Sequence, residues 1–245
     1  VAGLPVLVDG LTAANGIVYA GSGKAFGAYN GKTGDAVWLN KGWPQGEATT
    51  STPLLANGVV ISGANWRGFY GNDAQTGELL WKLDKDGITD RGATPAYDGN
   101  LLYVTSRQSL FIIDCHSGEV IVRKELPFNV QVNSTPLVTD KLIVFGTQTD
   151  GLVALDRETF EVRWKARTSP ALVYTAPYSR HPAATVELLY FGASDGIIYG
   201  IDKESGQTTW KHKTGAPLFS TLSTNGNMIF ATDFGGNVYA FKCNE

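Results

Sequence analysis

A block of about forty residues recurs from one end of this chain to the other, and no other feature limits its fold as tightly. The run from Thr52 to Trp81 shows the block whole. A Pro opens it, followed by Asn57-Gly58 and the apolar run Val59-Val60-Ile61. A second β run then ends at Asp73, and Thr76-Gly77 leads into a strand that finishes on Trp81. Six units align: Leu11 to Trp38, Pro53 to Trp81, Pro95 to Val122, Pro136 to Trp164, Pro177 to Trp210, and Leu222 to Glu245. The position filled by Trp in four of them recurs at 38, 81, 122, 164 and 210, with Val at 122. This period, with four strands per unit, is the signature of a β-propeller.

The local chemistry agrees. Asn15-Gly16, Asn57-Gly58, Asp98-Gly99 and Asn225-Gly226 supply the positive-φ pairs that short hairpins need, and Asp140-Lys141 stands in their place in the fourth unit. Runs such as Leu101-Leu102-Tyr103-Val104 and Leu142-Ile143-Val144-Phe145 suit strands buried on both faces between neighbouring sheets. The third strand ends in Asp-x-x-Thr/Ser-Gly in three units, at Asp73, Asp114 and Asp202, with Asn30-x-x-Thr33-Gly34 as the variant in the first; a short acceptor there bonds nearby backbone N–H groups and Gly takes the left-handed position. Asp156-Arg157-Glu158-Thr159-Phe160 lacks that Gly, so its turn is expected to be strained or differently built. Each Trp is expected to cover its own sheet and dock on a neighbour.

The expected fold is all-β: a single β-propeller domain of six four-stranded antiparallel blades, closed by the N-terminal strand joining the last blade. The blades span about 9–43, 51–86, 93–126, 134–168, 175–214, and 220–245 plus 1–8. The sixth unit stops before its outer strand, and Val1–Val8 has no unit of its own. Pairing them would leave no long open edge, although Pro5 removes one backbone donor.

A net charge of −3 argues against a nucleic-acid surface. No apolar run approaches the length of a membrane span. The chain begins at Val1, which suggests a processed or trimmed product. Its two cysteines, Cys115 and Cys243, are expected to be free thiols.

In a propeller, ligands gather over the loops between the second and third strands and the segments between blades. Those stretches offer Lys24, Trp43, Trp66, Arg67, Arg91, Arg107, Tyr174 and Phe219 as candidate ligand-binding residues. Asp150, Asp195 and Asp233 occupy matching loops in the later units. Cations and aromatics facing carboxylates would suit an acidic, aromatic or peptide ligand. The competing reading gives the Asp residues to their own turns and leaves the cations as solvated loop charges. His116, His181 and His212 show no metal-ligand spacing, and Asp84–Asp90 lacks the Glu that a calcium loop requires. No dinucleotide fingerprint or Gly-x-Ser-x-Gly elbow is present. Asn133-Ser134-Thr135 fits a glycosylation acceptor, but it also leads into a repeat strand.

The chain resembles the PQQ-like β-propeller repeats of the quinoprotein-dehydrogenase-like superfamily. The resemblance lies in Phe145-Gly-Thr-Gln-Thr-Asp-Gly-Leu-Val-Ala-Leu-Asp156 and in Gly192-Ala-Ser-Asp-Gly-Ile-Ile-Tyr-Gly-Ile-Asp-Lys-Glu-Ser-Gly-Gln-Thr-Thr-Trp210. That superfamily includes PQQ-dependent alcohol dehydrogenases, the lipoprotein of the outer-membrane β-barrel assembly machine, and sensor domains. Its propellers commonly have seven or eight blades, so six repeats is a departure. Its enzymes use a vicinal Cys-Cys bridge and a calcium-holding Glu/Asn/Asp set, and this chain has no Cys-Cys pair. The expectation is therefore a monomeric, non-catalytic module outside the cytoplasm, without cofactor or metal, that binds a protein or peptide. A carbohydrate- or anion-binding accessory domain is the alternative, and a PQQ-dependent fragment ranks last. Nucleic acid is not expected as a partner.

Overall fold

The computed structural model describes residues 10–22, 25–41, 51–64, 68–85, 87–89, 93–168, 188–225 and 228–242. Val1–Val8 and the closure expected of it lie outside these residues. The strands are β1 (Thr12–Ala14), β2 (Ile17–Ser22), β3 (Ala25–Asn30), β4 (Ala36–Lys41), β5 (Leu54–Ala56), β6 (Val59–Ala64), β7 (Gly68–Asp73), β8 (Leu79–Leu83), β9 (Ala96–Asp98), β10 (Leu101–Ser106), β11 (Ser109–Asp114) and β12 (Val120–Glu125). They continue with β13 (Leu137–Val138), β14 (Leu142–Gly146), β15 (Leu152–Asp156), β16 (Val162–Ala166), β17 (Leu188–Gly192), β18 (Ile197–Asp202), β19 (Thr208–Lys213), β20 (Ser223–Asn225), β21 (Met228–Thr232) and β22 (Val238–Lys242). Among the described residues there is no helix long and apolar enough to cross a membrane.

These strands form six sheets that follow the repeat. Four have four strands (β1–β4, β5–β8, β9–β12, β13–β16) and two show three (β17–β19, β20–β22). Within each sheet, neighbours in the sequence lie side by side. The chain divides into two compact units, 1–123 and 124–245. The first holds the sheets begun by β1, β5 and β9 up to Arg123 in β12, and the second holds the other three.

Hairpin chemistry sets the registers. Asn15 (φ 51) with Gly16 (φ 78), and Asn57 (φ 45) with Gly58 (φ 77), place two positive-φ residues between the first two strands of their sheets. The fourth repeat manages without such a pair, because the Thr139 hydroxyl accepts from the N–H of Leu142 at 2.9 Å and of Lys141 at 3.3 Å. Second and third strands are buried along most of their length, as in β14 and β15, whereas outer strands such as β12 are exposed.

The Asp-x-x-Thr/Ser-Gly turn behaves as its composition suggests. The Asp73 carboxylate accepts from the N–H groups of Gln75 (2.9 Å) and Thr76 (2.7 Å) and from the Thr76 hydroxyl. Gly77 at φ 78 donates back to the Asp73 carbonyl. The Gly-less turn keeps this geometry. Asp156 accepts from Glu158 and Thr159, Phe160 donates to the Asp156 carbonyl, and Phe160 itself takes φ 59. It is strained rather than rebuilt, at a cost of about 1–2 kcal/mol.

The tryptophans tie one sheet to the next through this turn. Trp38 Nε1 donates to the Ala74 carbonyl (3.0 Å), Trp81 Nε1 to the Cys115 carbonyl (2.9 Å), and Trp164 Nε1 to the Lys203 carbonyl (2.8 Å). Each indole also lies flat against the turn glycine of that next sheet. A Cβ added to Gly77, Gly118 or Gly206 would come within 2.7 Å of the ring of Trp38, Trp81 or Trp164 respectively. Behind each Trp, the residue paired with it on the third strand is small: Ala28, Gly71, Ala154 and Gly200 face Trp38, Trp81, Trp164 and Trp210. The register slips by one residue just after that pair in all four sheets. In the third repeat the Trp position holds Val122, the small position holds Ile112, and the next turn holds Phe160 in place of Gly. At the three junctions where Trp38, Trp81 and Trp164 dock, Trp, small partner and Gly occur together, and after the third repeat all three are replaced.

Two substitutions separate backbone strain from indole contact. Gly99 (φ 62) has nothing within 4 Å of an added Cβ, whereas Gly118 (φ 71) has Trp81. Gly99→Ala should cost about 1 kcal/mol, and Gly118→Ala about 3 kcal/mol, because overpacking adds to the strain. Urea denaturation of both variants checks this, and equal losses would contradict the docking role of Trp81.

Candidate binding surface

Loops between second and third strands meet the segments that join successive sheets. In the first unit, the Ser106 hydroxyl donates to the Gly87 carbonyl (3.0 Å) and accepts from Thr89 N–H (3.2 Å). In the second unit, Gln131 N–H donates to the Gly146 carbonyl and Gln148 N–H to the Asn129 carbonyl, both at 3.0 Å. Leu218 N–H likewise reaches the Ala193 carbonyl, and Phe234 N–H the Pro217 carbonyl. In the second unit these contacts are backbone bonds, whereas the described contact in the first unit runs through the Ser106 hydroxyl.

Of the candidate ligand-binding residues, Lys24, Trp43, Trp66, Arg67, Arg91 and Tyr174 lie outside the described residues. Arg107 is exposed in the β10–β11 turn of the first unit, with φ 55. Phe219 belongs to the second unit and is 42% exposed. Its ring meets that of Phe234 edge-on, with centroids 5.0 Å apart at 83°. Phe234 is 76% exposed and sits in the tight Asp233-Phe234-Gly235-Gly236 turn. It was not among the sequence candidates. The available signal was an aromatic residue in a turn whose sister holds Ser194-Asp195-Gly196. Beside the pair, the Ser220 and Thr232 hydroxyls bond each other at 2.8 Å.

The acidic loop residues of this unit serve their own turns. Asp150 pairs with Lys165 Nζ at 3.1 Å. Asp195 accepts from Ile197 N–H and from the Tyr199 hydroxyl. Asp233 accepts from the Asn237 side-chain amide through both oxygens, from the backbone N–H groups of Asn237 and Gly235, and from the Tyr239 hydroxyl at 2.8 Å. These donors, the Asn237 amide first, hold the Asp233 carboxyl down to about 2. They also fix the turn that presents Phe234.

A concavity of about 520 Å³ lies between the last two sheets and is lined by Leu188, Tyr190, Trp210, Ile229, Ala240, Phe241 and Lys242. Trp210 meets Phe241 edge-on at 5.3 Å, and His212 stacks on Trp210 at 6.2 Å. His212 is thus part of an aromatic cluster. No group of three or more His, Cys, Asp or Glu side chains suited to a metal occurs among the described residues. Cys115 is a buried free thiol, pushed up to about 11 by burial and then by the nearby Asp114 charge. Cys243 lies outside the described residues.

Residues 4–90 and 70–245 match the family model described as outer membrane protein assembly factor BamB. The chain belongs to this family. Among curated proteins it is similar to the dehydrogenase subunit of the quinone alcohol dehydrogenase of Gluconobacter oxydans (strain 621H), with 28% identity over 144 residues, covering 49% of this chain and 19% of that protein. The corresponding subunit from Komagataeibacter europaeus is 26% identical over 144 residues, with 49% and 20% covered. The match therefore spans about a fifth of the length of these relatives. Among solved structures, the computationally designed Ika8 protein aligns with a TM-score of 0.78 and 17% identity, over 98% of this chain and 72% of its own. BamB from Moraxella catarrhalis aligns with a TM-score of 0.64 and 18% identity, over 98% and 84%. These likenesses establish the fold, a β-propeller built from PQQ-like repeats.

Because the folded Asp233 carboxyl titrates below its ordinary value near 4, the stability it contributes is present above about pH 4 and is lost as pH falls towards 2. Asp233→Asn should therefore be less stable than the parent at pH 7, with the difference narrowing between pH 4 and 2. Urea midpoints at pH 7, 4 and 2 measure it. A difference that stays constant would contradict the assignment.

Proposed function

We propose that this chain is a non-catalytic, extracytoplasmic propeller module that binds a protein or peptide partner at its loop surface. The observation that carries the reading is the exposed Phe219–Phe234 pair. Two large apolar rings on the surface cost hydration free energy, and a turn braced by Asp233 holds them in place with little left to order on binding. Aromatic residues fixed in this way are typical anchors of protein interfaces. Membership of the family described as outer membrane protein assembly factor BamB supports a role in assembly outside the cytoplasm. The dehydrogenase relatives share a stretch of repeats, and repeats build sheets without supplying chemistry.

Cross-linking and pull-down from a periplasmic extract test the reading. The parent chain should retain a discrete protein partner. Phe219→Ala with Phe234→Ala should weaken that retention about thirtyfold, the equivalent of roughly 2 kcal/mol, with an unchanged melting temperature. Retention that survives the double substitution would overturn this surface. Glycan-array binding that depends on the same two rings would point to a carbohydrate ligand instead. Addition of PQQ and calcium should produce no alcohol oxidation.

A further inference from the structure

The junction between the first two sheets is polar where its sister junctions are apolar. The face that the second sheet (β5–β8) turns towards the first (β1–β4) carries Val60, Ser62, Tyr70 and Asn72, with Ser62 opposite Tyr70 and Val60 opposite Asn72. Val60 and Tyr70 pack there against Tyr19, Phe26 and Ala28. The registers set Ser62, Tyr70 and Asn72 level with Val104, Phe111 and Ile113 in the third sheet (β9–β12) and with Phe191, Tyr199 and Ile201 in the fifth (β17–β19). Those six residues belong to the apolar clusters of their own junctions.

Two polar atoms on this face are left over. Ser62 is fully buried and Asn72 is 1% exposed. Among the described residues, Ser62 Oγ and Asn72 Oδ1 have no hydrogen-bond partner. The orientation of Asn72 is fixed, because its Nδ2 donates to the Gly77 carbonyl at 3.1 Å, and Asn40 Nδ2 donates to the same carbonyl at 2.8 Å. Turning the Asn72 amide over would set Oδ1 against that carbonyl, acceptor against acceptor. Oδ1 therefore points away from the turn. Orphaned oxygens of this kind are rare in a folded chain and costly to keep.

The junction also holds less side chain. Counted over matching positions, the residues that meet between the first two sheets fill about 70–100 Å³ less than those between the second and third or between the fourth and fifth. That difference equals the space of two or three water molecules, at about 30 Å³ each.

We propose that this junction is an internal binding site for water, holding about two ordered molecules between Ser62 and Asn72. Water donates to Asn72 Oδ1 and exchanges a hydrogen bond with the Ser62 hydroxyl. Tyr70, buried on the same face, brings a further hydroxyl. The water fills space that apolar side chains fill at the sister junctions, while Trp38 and Asn40 hold the two sheets together through the turn that ends at Gly77. The site lies in the first unit, so it stands or falls independently of the Phe219–Phe234 surface in the second.

The test counts water in the intact chain by ¹⁷O magnetic relaxation dispersion, to which hydroxyl protons do not contribute. Ser62→Val with Asn72→Ile introduces the residue types that the third sheet carries at these positions, Val104 and Ile113. The expected result is a loss of about two long-lived waters relative to the parent. An equal count in parent and double variant would overturn the proposal. A milder variant decides the matter if the double one does not fold. Ser62→Ala removes the hydroxyl at nearly constant volume. If water bonds that hydroxyl, the melting temperature should fall by about 2–4 °C. If the hydroxyl has no bond at all, its removal relieves a buried polar group, and an unchanged or raised melting temperature would contradict the proposal.

Discussion

One contact organises this protein: an indole lying on a glycine. Each docked Trp buries a large apolar face, donates its single N–H to a carbonyl at the start of the neighbouring turn, and covers a left-handed residue that can carry no side chain. The three requirements fall on three different strands or turns, so a change at any one of them is felt by the others. A Cβ on the glycine strikes the ring, and a large residue behind the ring displaces it. This accounts for the sequence after the third repeat, where Ile112, Val122 and the fourth repeat's Phe160 stand where a small residue, Trp and Gly stand at the docked junctions. Phe160 keeps the left-handed backbone without a glycine, so the turn geometry persists where the docking partner does not.

The repeat leaves function to its exceptions. Turn carboxylates such as Asp73, Asp114 and Asp202 are held below the ordinary carboxylate range by hydrogen bonds from the following Thr or Ser, and they are engaged in structure. Asp150, Asp195 and Asp233 are likewise spoken for by neighbours within their own unit. What these turns leave over is aromatic surface. Phe219 and Phe234 share one end of the second unit, and Trp210 lines a concavity beside β22.

Much of the architecture was legible in the sequence because its causes are local. Asn57-Gly58 dictates a tight hairpin, Asp73-x-x-Thr76-Gly77 dictates its own hydrogen bonds, and alternation with apolar runs marks the strands. The spacing of Trp38, Trp81, Trp164 and Trp210 revealed the repeat but could not reveal the carbonyl each indole reaches, since that depends on sheet packing. The Thr139 hydroxyl standing in for a glycine turn was hidden for the same reason: any of several nearby acceptors would have served equally well on paper. The candidate surface was less legible still. Phe219 was identified from its place in a joining segment, but its partner Phe234 lies fifteen residues on, and only the fold brings the rings together. In the second unit Asp195 and Asp233 each serve their own turn, which is one of the two readings that the sequence offered for these carboxylates.

The central claim is that indole and glycine act as one unit across each junction. A double-mutant cycle on Trp81 and Gly118 tests it most directly. If the account is right, Gly118→Ala is costly in the parent but costs only backbone strain when Trp81→Ala has removed the ring, giving a coupling of about 2 kcal/mol. Losses that add to within about 0.5 kcal/mol would show that the two residues act independently, and would contradict it.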